Sequence, residues 1–112
     1  MSYIAKILGT DYSVNVTTDE SDPVLRECNG YCDPSIKKIT VADLTLAKHE
    51  NDLLELKNLA IPQNKLFRHE FIHAFFFESG LQDYYEDELL VDFLAIQFPK
   101  MMKLFTELGV ER

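Results

Sequence analysis

The chain is short of cysteine, of basic residues and of long apolar runs, and each shortage closes off a class of protein. Cys28 and Cys32 are its two cysteines. They are too few for the disulfide framework of a small secreted domain and suit a reducing cytoplasm. Lys and Arg number 11 against 19 Asp and Glu, a formal charge of −8. A protein that tracks phosphates carries the opposite balance, so neither nucleic acid nor an anionic membrane surface is an expected partner. No window reaches the roughly 18 uninterrupted apolar residues of a membrane span. The opening Met1-Ser2-Tyr3-Ile4-Ala5-Lys6 lacks the charged, apolar and cleavage regions of a signal peptide. Internal repeats, low-complexity tracts and linkers are missing as well.

What is present is 112 residues, 46% hydrophobic and 27% charged. That is core enough for one domain over residues 1–112 and too little chain for two. The first third reads as short strands. Tyr3 to Leu8 stops at Gly9-Thr10, and Asp11 to Val16 alternates polar with apolar as a half-buried strand does. A second strand pair is expected between Val24 and Val41, with Asp33-Pro34-Ser35 as its turn and Asn29-Gly30 as a competing one.

The remaining two-thirds reads as helix. Leu46, Leu53, Leu54, Leu56 and Leu59 recur with helical periodicity, and Ile61-Pro62-Gln63-Asn64 restarts the chain. A helix is expected from Gln63 to Ser79 and another from Glu86 to Phe98, its apolar residues packing inward. Pro99 should kink or restart it, and a last helix should end before Gly109. The fold class is therefore α+β, a short N-terminal antiparallel sheet followed by helices.

Chemistry is carried by His69-Glu70-Phe71-Ile72-His73, an H-E-x-x-H motif on the helix from Gln63. Random placement of three His and ten Glu yields it in about 0.7% of chains, so chance is set aside. At about 100° per residue, His69 and His73 point roughly 40° apart, one turn from each other. Two imidazoles so placed can share one Zn²⁺. Glu70 faces the same cleft, where a carboxylate can take a proton from a zinc-activated water and hand it to a leaving amine. The plainer alternative is a pair of core histidines among Leu66, Phe67, Phe71, Ile72 and Phe75-Phe76-Phe77.

A catalytic zinc needs a third protein ligand and an open position. His49 is the one other histidine and lies upstream among charges. Asp83, Glu86, Asp87, Glu88 and Asp92 follow the motif. Glu88 and Asp92, four residues apart on one helix face, are the favoured pair: Glu88 as third ligand, with Asp92 holding a ligand imidazole. Glu86 is the next candidate for the ligand, while Asp83, Glu86 and Asp87 otherwise make an acidic helix start. Cys28 and Cys32 read as two small thiols in a strand rather than a second metal site. The Phe75-Phe76-Phe77 run and the Met101, Met102, Leu104, Phe105 and Leu108 set read as core. The latter is also the candidate oligomer surface if Pro99 turns the last helix outward.

With H-E-x-x-H followed by Glu88-Leu89-Leu90-Val91-Asp92, the chain resembles the gluzincin metallopeptidases. Over about Gly30 to Leu104 it is more closely similar to small phage- and prophage-encoded proteins related to the ImmA/IrrE metallopeptidases. The resemblance implies a single minimal zincin-like domain holding one Zn²⁺ through His69, His73 and Glu88. Glu70 would then be general acid/base, Asp92 would support a ligand, and a peptide or protein would be the substrate, in the cytoplasm of a bacterial host. It also implies a sheet edge beside the cleft, near Ile36–Val41, to which an extended peptide can add. Larger gluzincins have a second domain that supplies oxyanion donors, for which this chain has no length to spare. Tyr84 or Tyr85 is the candidate donor here, with packing the plainer role for both. A second reading keeps fold and zinc without turnover, as a zinc-stabilised binding or regulatory protein. A third is a metal-free interaction domain.

Overall fold

The computed structural model describes residues 1–46 and 59–112. Residues 47–58, with His49 and most of the first expected leucine-rich helix, lie outside the described residues. Four strands form one sheet: β1 (Ser2–Ile7), β2 (Thr10–Thr17), β3 (Gly30–Asp33) and β4 (Lys38–Ala42). Three helices follow: α1 (Ala60–Glu78), the single turn α2 (Gln82–Tyr85) and α3 (Glu88–Glu107). The class is α+β, as expected. Among the described residues no helix is long and apolar enough to cross a membrane.

β1 and β2 close a hairpin through Leu8 and Gly9, both with positive φ (48° and 86°). That is the combination a two-residue turn needs to match the twist of its strands. The sheet order is β1-β2-β4-β3. β2 and β4 run parallel, with Val14 beside Ile39 and Val16 beside Val41, while β3 runs antiparallel to β4. The sheet is therefore mixed, not wholly antiparallel. Alternation along a strand says which face is buried and nothing about which neighbour it pairs with. Val24, expected in a strand, lies in a short 3₁₀ turn, Pro23–Arg26, capped by the Asp22 side chain. The Asp33-Pro34-Ser35 turn stands as expected, with the Ser35 amide donating to Asp33 Oδ1 at 3.1 Å.

Aligned residues of parallel strands share a face, so Tyr12, Val14, Ile39 and Val41 present one apolar surface, fully buried. α1 lies across it with Phe67, Phe71 and Ala74. The Gln63 side chain fastens the start of α1 to the end of β4. Its Oε1 accepts from the Leu44 amide at 2.8 Å and its Nε2 donates to the Ala42 carbonyl at 3.0 Å. At the far end, Lys37 Nζ and the Tyr12 hydroxyl both donate to Glu78 Oε2, at 3.0 and 3.2 Å. α1 is thus held at both ends, and its middle turns face a fixed sheet.

α1 stops at Gly80, whose φ of 76° supplies the left-handed exit. Asp87 caps α3 by accepting from the Leu90 amide at 3.0 Å. α3 does not break at Pro99 but continues to Glu107, so the two expected helices are one. It packs inward less than expected. Val91 and Ala95 are buried, but Leu89 and Phe93 are exposed, and so are Met102, Leu104, Phe105 and Leu108. Phe75 is exposed as well rather than core.

Candidate metal centre

The side chains of Lys65, His69 and His73 follow one another at four-residue spacing along the face of α1 next to the sheet face. The α2 turn then returns the chain so that Glu88 and Asp92 of α3 stand opposite. Together with β3 these residues line a cleft of about 410 Å³.

His73 is buried and its Nδ1 is 2.7 Å from the Tyr85 carbonyl oxygen. A carbonyl only accepts, so Nδ1 carries the proton and Nε2 of the neutral ring carries a lone pair. His69 Nδ1 lies 3.3 Å from Asp92 Oδ1, so this ring too has an acceptor for an Nδ1 proton. The two Nε2 atoms are 3.2 Å apart. Glu88 spans them, with Oε2 at 2.9 Å from His69 Nε2 and Oε1 at 2.9 Å from His73 Nε2. With both rings protonated at Nδ1, two imidazole lone pairs and a carboxylate converge on one point. A cation satisfies all three at once. Two nitrogens on one tetrahedral ion with bonds of about 2.0–2.1 Å lie about 3.3–3.4 Å apart. The observed nitrogen spacing is close to that.

His69, Glu70 and His73 form a group whose donor atoms lie within 4.8 Å of one another, and it can hold a metal ion. Glu70 sits between the imidazoles and β3 and is 5% exposed. Burial pushes its carboxyl up to about 7; the nearby His69 opposes that and Glu88 adds to it. Its room comes from Gly30, where an added Cβ would lie 3.1 Å from the Thr40 carbonyl oxygen and 3.2 Å from Glu70 Oε2. Asp92 is held from the other side by Lys65 Nζ at 3.1 Å. The Lys65 hydrogen bond keeps the Asp92 carboxyl below its ordinary value. In the cleft the carboxylates of Glu70, Glu88 and Asp92 face one ammonium, Lys65. A divalent ion held there would balance the charge.

The remaining expected residues are placed as follows. Glu88 and Asp92 are not a buried pair: their side chains are 71% and 43% exposed. Glu86 accepts from Gln82 Nε2 at 3.1 Å and is not among the residues lining the cleft, while Asp83 lies in the first turn of α2. Tyr85 lines the cleft with its ring against His73, whereas Tyr84 packs on Phe76 outside it. Cys32 stands in β3 and Cys28 just before it, both lining the cleft. Burial pushes the Cys32 thiol up to about 12, so it stays protonated and inert.

The expected edge strand is corrected. β4, which contains most of Ile36–Val41, is flanked by β2 and β3, and the edge beside the cleft is β3. The Ala42 amide donates to the Asn29 carbonyl at 2.8 Å, and Gly30 stands opposite Val41. In an antiparallel ladder that alternation turns the backbone groups of Tyr31 toward β4 and those of Gly30 and Cys32 toward the outer edge, which no strand among the described residues covers. Sequence reasoning did not single out Lys65 or Gly30. Lys65 had a visible signal, standing one turn before His69. Gly30 had none, since its role depends on pairing across the sheet.

No family model, curated protein or solved structure matches this chain.

Proposed function

We propose that this chain is a zinc-dependent metallopeptidase of minimal gluzincin type. The observation that carries the reading is the convergence of His69 Nε2, His73 Nε2 and the Glu88 carboxylate on one point, with the buried Glu70 beside it. His69, His73 and Glu88 would hold one Zn²⁺ per chain, which is borderline-soft and suits a set of two imidazoles and one carboxylate. When bound, zinc supplies Lewis acidity toward a water and toward the scissile carbonyl. Asp92 and the Tyr85 carbonyl orient the two imidazoles through their Nδ1 protons. Glu70, raised toward neutrality by burial, accepts the proton of the attacking water and returns it to the leaving amine. The outer edge of β3, uncovered by any strand among the described residues, supports an extended peptide as substrate, paired through the backbone of Gly30 and Cys32. Lys65 and Tyr85, both in the cleft lining, are the protein donors available to the developing oxyanion. A bacterial cytoplasm, where both thiols stay reduced, is the compartment this reading assigns.

The exposure of Glu88 favours one alternative, a zinc-stabilised binding protein that holds a peptide on β3 without turnover. One experiment separates them. The chain is purified without chelator, assayed for zinc and incubated with unfolded proteins, beside a Glu70→Gln variant. The peptidase reading expects about one zinc in both and cleavage by the parent alone. Zinc without cleavage by the parent selects the binding protein, and absence of zinc removes both readings.

A further inference from the structure

α3 leaves its partner halfway along. Val91 and Ala95 are buried against α1, and beyond Ala95 no α3 residue is fully buried. The apolar spacing does not stop there. Leu94, Phe98, Met101, Phe105 and Leu108 follow at intervals of four, three, four and three. That repeat aligns one stripe along a helix for pairing with another helix. Lys100, Lys103 and Glu107 fall on the opposite side. The stripe runs out of a groove of about 380 Å³ between α1 and α3, walled by Phe71, Ile72, Phe75 and Phe76 with Leu94 and Phe98. The groove shares no lining residue with the cleft of Lys65, His69 and His73.

This face is too large to be incidental. Phe75 and Phe98 are 49% and 47% exposed and Leu108 is 66% exposed. With the partly exposed groove residues the stripe presents on the order of 600–700 Å² of apolar surface. A monomer's largest patch is about 300–600 Å², and each side of a specific interface contributes roughly 600–1,000 Å².

We propose that this face pairs with a second copy of the chain about a two-fold axis, the two α3 helices crossing antiparallel. Each projecting half of α3 then lies in the groove of its partner. The ridge and the groove are continuous on one chain, so a single two-fold covers both at once and closes the assembly, as a self-complementary patch does. The area matches what one side of a stable dimer needs. The metal cleft is lined by other residues, and the proposal does not rest on the reading of that cleft.

Sedimentation or light scattering on the full chain as purified, at about 50 µM, well above a micromolar dissociation constant, tests it. The expected mass is twice the 13.0 kDa of one chain. Phe105→Glu with Leu108→Glu should return it to a single chain with unchanged circular dichroism and metal content. Lys103→Glu, on the opposite face of α3, should leave the dimer intact. If the double variant unfolds, Leu108→Glu alone, at the C-terminal cap, should weaken association at least tenfold. A parent that stays monomeric, or a dimer that survives charges at Leu108, overturns the proposal. So does equal loss in Lys103→Glu.

Discussion

Arg68 Nε donates to the carbonyl oxygen of Ala95 at 2.8 Å. Ala95 is four residues before Pro99, so its carbonyl is the one that proline leaves without a helical donor. The guanidinium of α1 takes the place of the missing amide of α3, and the helix runs through its proline unbroken. The same contact ties the two helices together one turn from the metal residues.

A double-mutant cycle tests this. Arg68→Ala should cost about 1–2 kcal/mol, because it strands a half-buried carbonyl. Pro99→Ala should be stabilising, since an alanine amide restores the helical bond. In the Pro99→Ala background the cost of Arg68→Ala should fall by roughly 0.5 kcal/mol or more. Strict additivity in denaturant unfolding would show that the two residues act separately.

Gly30→Ala probes the placement of Glu70. The new Cβ would press on the Thr40 carbonyl, which is fixed in the sheet, and on the Glu70 side chain, which is free to yield. A shift of several tenths of an ångström in a proton carrier lowers turnover about tenfold or more. Peptide hydrolysis should fall by that factor while zinc stoichiometry stays at the parent level. Unchanged hydrolysis would remove Glu70 from the proton path.

The parts of this molecule legible in the sequence are those set by one helix. The spacing of His69 and His73 puts both rings on one face whatever surrounds them, and Glu88 with Asp92 repeats that logic. The illegible parts depend on pairs far apart in the chain. β2 lies beside β4 because β3 goes to the outside, and no alternation in Thr10–Thr17 carries that choice. Pro99 reads as a break because its cure, Arg68, is on another helix. Leu89, Phe93 and Phe105 read as core because an apolar residue does not say whether anything covers it.

Glu78 predicts an acid-sensitive end of α1. The hydrogen bond from Lys37, with help from Thr10 and Tyr12, holds its carboxyl below the ordinary range. A carboxyl lowered on folding stabilises the fold above its unfolded pKa, about 4.3, and loses that contribution as pH falls through the folded value. Thermal melts of the parent and of Glu78→Gln should therefore differ at pH 6–7 and converge from about pH 5 downward. A gap that is constant down to pH 3 would mean that the charge of Glu78 contributes nothing.

Asp92 and Lys65 predict how tightly the cleft holds its ion. The Asp92 carboxylate accepts the Nδ1 proton of His69 while Lys65 holds it in place. Asp92→Asn keeps the size and an accepting oxygen but loses the charge that makes the His69 ring a better donor to metal. Zinc affinity, read by competition with a chelator, should weaken about 10–100-fold. Lys65→Met leaves the carboxylate in place but mobile and more negative in its surroundings, so its effect on affinity should be smaller. Melting temperature reports the same hierarchy. Free zinc at 100 times the dissociation constant adds about 2.7 kcal/mol to the fold, and removing it by chelation should lower the melt of the parent more than that of Asp92→Asn at equal zinc. If chelation moves neither melt, the imidazoles and Glu88 meet for packing alone and hold no ion.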